Sequence, residues 1–378
     1  MKNFTTENIY TKRLEKVWDW MALEGVAMLM LEDTETRRDQ SIRWLTGHPG
    51  DALLFLTAAG EAILAAWDFN LAKLYARAPI IIAPYNDFER KPLNALTVVS
   101  KTMGVPAGSK IEIPSVTPYP VFLNYVGELT DYDILCRKDS AAKEIMRLRA
   151  VKDDEEIAIT RKAADITNEL IDLLEKHVKS GKIKTEADAA LYIQTETRKR
   201  NCEGTSFETL AAGPTRSFAI HAFPSWTTAP FGGQGLSILD FGVKYNGYCT
   251  DVTLTFARDL NPKQEKLVTL VEKAAKLATS MAHNGTQTRS IAAAVDTLFR
   301  KAKKEMPHGL GHGVGLQEHE YPVLRDSTDN EWVLEPGMIF TIEPGLYDPV
   351  LGGCRLENDV LITENSQEIL TNARIIRL

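Results

Sequence analysis

The stretch Leu236-Ser237-Ile238-Leu239-Asp240-Phe241-Gly242-Val243-Lys244-Tyr245-Asn246-Gly247-Tyr248-Cys249-Thr250-Asp251-Val252-Thr253-Leu254-Thr255-Phe256 decides how this chain is read. Leu236–Phe241 and Tyr248–Phe256 are rich in aliphatic, aromatic and β-branched residues, which favour strands. Asn246-Gly247 between them is a hairpin signal, because a tight turn needs residues that accept positive φ. The two runs predict a hairpin with one aspartate on each arm, Asp240 and Asp251. A carboxylate among apolar strand residues is costly to bury unless a cation or hydrogen bonds compensate it.

Three downstream segments extend the pattern: His308-Gly309-Leu310-Gly311-His312, Thr341-Ile342-Glu343-Pro344-Gly345 and Arg355-Leu356-Glu357-Asn358. Asp240, Asp251, Glu343 and Glu357 with the His312 imidazole make a mostly oxygen donor set. It is large enough for two divalent cations, and such a pair supports hydrolysis. Each residue alone has a bland reading, since a single acid at a strand end is usually structural or solvated. The weight lies in the combination. Three of the seven histidines, His308, His312 and His319, fall within twelve residues beside Gly309, Gly311, Gly313 and Gly315. The glycines favour strand or loop over helix there and let backbone approach a ligand closely. Arg355 is read either as a salt-bridge partner of Glu357 or as a group that binds substrate or orients a ligand. There is no phosphate-binding loop, no H-E-x-x-H and no G-x-S-x-G elbow.

The length, 378 residues, predicts two domains. The boundary is expected near residue 140, giving domains 1–140 and 141–378. The first part alternates strands and helices, with Val26–Leu31 as a strand buried on both faces and Leu53–Thr57 and Ala62–Ala65 as a hairpin. Pro79–Ile82 and Lys110–Ile113 are further strand candidates, and His48 reads as a turn residue. Asp153-Asp154-Glu155-Glu156 opens a long helix, Gly181 ends it, and Thr185–Asp188 forms a capping box for the next. Lys263–Ala282 and Ser290–Lys304 read as helices, Met338–Glu343 and Arg355–Thr363 as strands. A net charge of −7 without a basic stripe argues against nucleic-acid binding. The polar start at Met1–Glu7 shows no secretion signal, and no run is long enough for a membrane span. Cytoplasmic localisation follows as an expectation. The four cysteines form no C-x-x-C and read as free thiols. Cys249 and Cys354, close in sequence to Asp251 and Glu357, read as buried small hydrophobes rather than soft ligands.

These motifs, in this order, resemble the proline-specific metallopeptidases, aminopeptidase P and prolidase, of the pita-bread family. The resemblance covers about residues 150–378, and the N-terminal part through Ser41-Ile42-Arg43-Trp44-Leu45-Thr46-Gly47. It implies an α/β (α+β) chain, with a pita-bread catalytic domain behind a smaller creatinase-like α/β domain. It implies two divalent metal ions, manganese first with cobalt, zinc or iron as alternatives. It further implies proline-containing peptide substrates cleaved at an amino-terminal Xaa-Pro bond, and a homodimer. Asp240 would be a terminal ligand of one metal, Asp251 and Glu357 bridges, and His312 and Glu343 ligands of the second. Glu343 would also be general base and proton shuttle. His221 and His319 match substrate-side histidines, the latter stabilising the tetrahedral intermediate. His308 matches the histidine that opens the ligand motif, and Arg355 the arginine beside the bridging glutamate. Leu254, where many relatives have a basic residue, and Asn358, where an acid is common, depart from the pattern and bear on substrate preference and site rigidity.

Two other readings stay open on this fold: a same-fold non-peptidase, including a metal-free C–N hydrolase of the creatinase type, and a binding module without activity. The complete five-residue set argues against the metal-free hydrolase and the module.

Overall fold

The computed structural model describes residues 8–378, so the polar segment Met1–Glu7 lies outside the described residues. The chain divides into two compact units, Met1–Leu148 and Arg149–Leu378. Both mix helices with sheets.

The first unit is built on a six-stranded mixed sheet. Val26–Asp33 lies inside it, antiparallel to Ala52–Thr57 and parallel to Lys110–Glu112. Its continuous apolar run is buried on both faces, as expected for an interior strand. Ala52–Thr57 and Ala62–Ala66 form the expected hairpin, with Gly60 at φ +84° in its turn. Helix Ser41–Thr46 holds the Ser41–Gly47 motif and ends at Gly47 with φ +83°. A Cβ at Gly47 would lie 2.8 Å from Tyr75 O. His48, read as a turn residue, follows this cap fully buried, and burial pushes its pKa down.

The second unit contains two larger sheets. One has the order Ile375–Arg377, Val252–Arg258, Gly235–Phe241, Leu210–Ala212. The other has the order Glu320–Leu324, Gly311–Gly313, Ile339–Ile342, Asn358–Ile362, Gln367–Ile369. Helix Asp154–Lys179 starts at a capping box in which Asp153 accepts from Glu155 N and Glu156 N. Its Leu170, Ile171 and Leu174 pack with Leu239, Phe241, Val252, Leu254 and Phe256. Helices Pro262–Met281 and Thr288–Lys301 cover a second core through Val271, Ala274, Val295 and Phe299, against Phe340 and Ile342.

The quoted stretch folds as a broken hairpin. Gly235–Phe241 and Val252–Arg258 pair antiparallel, with Asp240 opposite Thr253. The far end peels away, and Val243–Tyr245 pairs with Tyr248–Cys249 in a separate small sheet across Asn246 (φ +47°) and Gly247 (φ +89°). Asp251 therefore sits just outside a strand, not within one arm. The break has a packing cause. Thr250 folds back so that its Oγ1 accepts from Val243 N at 3.0 Å, and its carbonyl occupies the space a side chain at residue 242 would need. A Cβ there would stand 1.7 Å from Thr250 O.

Gly242→Ala should therefore lower stability by about 1–3 kcal/mol or more, the usual scale of overpacking. Urea unfolding checks this, and an unchanged midpoint would contradict the packing described.

Candidate active site

The nine residues singled out in the sequence converge on one cavity of about 530 Å³ in the second unit. Asp240, Asp251, His312, Glu343 and Glu357 line it together with His221, His308, His319 and Arg355. Strand ends deliver most of them. Asp240 lies near the end of Gly235–Phe241, His312 in the middle of Gly311–Gly313, and Glu343 directly after Ile339–Ile342. Glu357 precedes Asn358–Ile362 and bridges to Thr253, while Arg355 ends Gly352–Arg355. Arg355 and Glu357 thus fall at a junction between two strands rather than inside the single expected one.

The distances are those of a ligand cluster. His312 Nε2 is 3.7 Å from Asp251 Oδ2 and 3.7 Å from Glu343 Oε1. One donor atom each from Asp251, His312 and Glu357 lies within 4.8 Å of the others. Arg355 is 2% exposed, and each of its three nitrogens has a partner. Its Nη2 donates to Asp240 Oδ2, its Nε to Thr253 Oγ1 at 2.8 Å, and its Nη1 to Ile220 O at 3.1 Å and Tyr347 Oη at 2.8 Å. Thr253 in turn donates to Glu357 Oε2 at 2.7 Å. His308 is held between Gly309 O (2.8 Å) and Tyr347 Oη (3.0 Å). A neutral ring with its proton on Nδ1 satisfies both.

Electrostatics follow from burial and crowding. Burial, then the Glu357 and Asp240 carboxylates, push the Asp251 pKa well above the usual carboxylate range. Burial and Glu357 do the same to Glu343, against Arg355. Glu357 is pushed up to about 7 by burial and Asp240. The imidazoles move the other way: burial lowers His308 to about 4 and, with His319 beside it, His312 to about 4. Neutral imidazoles among crowded carboxylates suit cation binding, because a protonated ring cannot be a ligand.

Comparison with known proteins agrees with this geometry. The family described as "Metallopeptidase family M24" matches residues 158–364. The chain belongs to this family. Over 235 residues it is 34% identical to a putative dipeptidase of Bacillus subtilis, covering 61% of this chain and 63% of the relative. Over 234 residues it is 36% identical to the Xaa-Pro dipeptidase of Pyrococcus furiosus, covering 60% and 64%. These matches span less than two thirds of either relative. The fold is similar to that of the Xaa-Pro dipeptidase from Bacillus anthracis, with a TM-score of 0.84 at 23% identity over 98% of this chain and all of that one.

The protein thus belongs to a family of metallopeptidases that is dinuclear and metal-dependent. Its residues fit that requirement. The donor set is four carboxylates and an imidazole, and Asp240 Oδ1 is buried without a hydrogen-bond partner, so a cation would satisfy it. Carboxylates driven toward protonation by burial and by their neighbours gain most from divalent charge.

Sequence reading missed two residues that support the cluster. Tyr347 sits behind Arg355 and His308, and its pKa is pushed up to about 12 by burial, against Arg355. Gly345 leaves room for it, since a Cβ there would be 2.5 Å from Tyr347 Oη. Asp359 is fully buried and accepts from Asp251 N at 3.2 Å. Period-two alternation from Glu357 could have flagged Asp359, but nothing local marks Tyr347.

The two departures have structural explanations. Leu254 points into the helical core with Leu170 and Leu239, away from the cavity, where a charge would go unpaired. Asn358 uses both ends of its amide: Oδ1 accepts from Ala373 N at 2.7 Å and Thr371 Oγ1 at 3.1 Å, and Nδ2 donates to Ala373 O at 3.1 Å. A carboxylate could not make the last bond. Asn358 is half-buried, so Asn358→Asp should lower the unfolding free energy by about 1 kcal/mol, the low end of the cost of an unsatisfied polar group. Calorimetry of the variant checks this, and an unshifted Tm would count against the tether.

Proposed function

We propose that this protein hydrolyses the amino-terminal Xaa-Pro bond of peptides, as an aminopeptidase P or prolidase-type enzyme using two divalent cations. The observation that carries the reading is the convergence of all nine residues on one cavity. Asp240, Asp251, His312, Glu343 and Glu357 would hold the two cations between them. Manganese is the first choice, because oxygen donors with one imidazole suit it, with cobalt, zinc or iron as alternatives. The cations would supply Lewis acidity, polarising the scissile carbonyl and making water nucleophilic at neutral pH.

The chain's own residues do the rest. Glu343 accepts the proton of the attacking water and delivers it to the leaving proline nitrogen. His221 and His319 lie on the exposed side of the cavity and donate to the substrate carbonyl as negative charge develops there. A proline amide has no N–H, so donors aimed at its carbonyl lose nothing by accepting it. Arg355 holds Asp240 and, through Thr253, Glu357. His308 acts by fixing Tyr347, whose Oη accepts a hydrogen bond from Arg355 Nη1. The first unit corresponds to the creatinase-like domain and supports a homodimer, and the enzyme works in the cytoplasm. No helix among the described residues is long and apolar enough to cross a membrane.

Chelator treatment should abolish Xaa-Pro cleavage, with recovery on adding Mn²⁺. Asp251→Ala or Glu357→Ala should lose metal and activity together. Elemental analysis beside a peptide assay reads both, and full activity in metal-free protein would exclude the proposal. Glu343→Gln should retain part of the metal and lose most of kcat; an unchanged kcat would remove its proton-transfer role.

His319→Ala should lower kcat by roughly a hundredfold or more with metal content intact, the usual cost of one oxyanion donor. Steady-state kinetics on Xaa-Pro and Xaa-Ala peptides also tests specificity. Equal rates on the two would contradict proline selection.

A further inference from the structure

The cavity carries more negative charge than its ligand set. Glu208 and Glu318 also line it. Glu208 is exposed, and its Oε2 accepts a hydrogen bond from Ser225 Oγ at 3.0 Å, which holds the carboxylate at the wall. Glu318 is half-buried directly before His319. Arg355 is the basic side chain among the lining residues apart from histidines, and its donors already serve Asp240, Thr253, Ile220 O and Tyr347. When two divalent cations match the four ligand carboxylates, Glu208 and Glu318 outnumber Arg355.

This surplus acts on one feature of a substrate. In an Xaa-Pro dipeptide the free carboxylate is attached to the proline Cα, next to the scissile nitrogen. It cannot leave the cavity while the bond is positioned for attack. In a longer peptide the same carbon bears a neutral amide, and the terminal charge lies farther out. The α-ammonium belongs to the residue before proline in both cases and is attracted by acidic walls. Phe207, Leu210, Ile220 and Phe223 on the same lining offer apolar surface for a proline ring. We infer that Glu208 and Glu318 make this site select amino-terminal Xaa-Pro bonds in peptides that continue beyond the proline, over Xaa-Pro dipeptides. The inference rests on the proline-cleaving reading above and adds the length and charge of the substrate to it.

Kinetics of the metal-loaded full chain on Ala-Pro-Ala, Ala-Pro-amide and Ala-Pro test it. The tripeptide and the amide should both exceed the dipeptide in kcat/KM by about tenfold or more, the scale of a like-charge contact several ångströms away in a partly buried site. A Glu208→Gln/Glu318→Gln double variant should narrow that gap several-fold by raising the dipeptide rate. The inference is overturned if Ala-Pro is cleaved as fast as Ala-Pro-Ala, or if the double variant leaves the gap unchanged. It is also overturned if Ala-Pro-amide is as slow as Ala-Pro, because length rather than charge then decides. In each of these cases proline cleavage itself stands. Cleavage of none of the three would remove the proline-cleaving reading and this inference with it.

Discussion

Mutual repulsion among buried carboxylates is the constraint around which the second unit is organised. Asp251, Glu343 and Glu357 each have a pKa raised first by burial, and for all three neighbouring carboxylates add to the effect. A protein gains nothing in stability by assembling such a group without cations. One fixed charge offsets part of the cost: Arg355 is buried, held by four partners, and retains its proton well beyond the ordinary range. Its planar fork reaches Asp240, Thr253 and Tyr347 at once, which a lysine ammonium could not do in fixed directions. The remaining negative charge is what a pair of divalent ions would neutralise.

The scaffold meets this constraint through the two-residue period of strands. Along Val252–Arg258, Thr253 and Thr255 turn toward Glu357 and Arg355, and Val252, Leu254 and Phe256 turn toward the helical core. A polar network and an apolar core thus share one strand without mixing. Close backbone approaches complete the arrangement. Gly311 lies where a Cβ would come within 2.0 Å of Thr341 O, so His312 can stand beside Glu343.

A second buried ion network lies next to the histidine segment. Glu320, directly after His319, pairs with Arg149, and Lys152 Nζ stands 3.4 Å from its other oxygen. Burial alone would raise the Glu320 pKa, but the two cations hold it below the usual range. Gln317 N also donates to Glu320 Oε1 at 3.0 Å, which fixes the loop carrying Glu318 and His319. Removing one member of such a network typically costs about 3–5 kcal/mol, because the others are left buried and uncompensated. His319, the residue next to Glu320, is therefore placed by charges that never touch it.

The sequence alone determined the element types and the identity of the cluster. β-Branched and aromatic residues marked Tyr248–Phe256 as strand, Asn246-Gly247 marked a tight turn, and the acids of Asp153–Glu156 marked a helix start, because these signals depend on neighbours in the chain. The unusual types Asp240, Asp251, His312, Glu343 and Glu357, in glycine-rich and apolar frames, revealed a site because such residues are costly to bury singly. Only the tertiary structure decided how they meet. It broke the expected hairpin at Thr250, since the carbonyl that fills the space beside Gly242 comes from a residue eight positions on. It put Arg355 at the end of one strand and Glu357 just before the next, and joined them through Thr253, about a hundred residues away. It also supplied Tyr347, Asp359, Glu208 and Glu318, whose importance comes from facing the cavity or its ligands, and a facing across long sequence separation leaves no local trace.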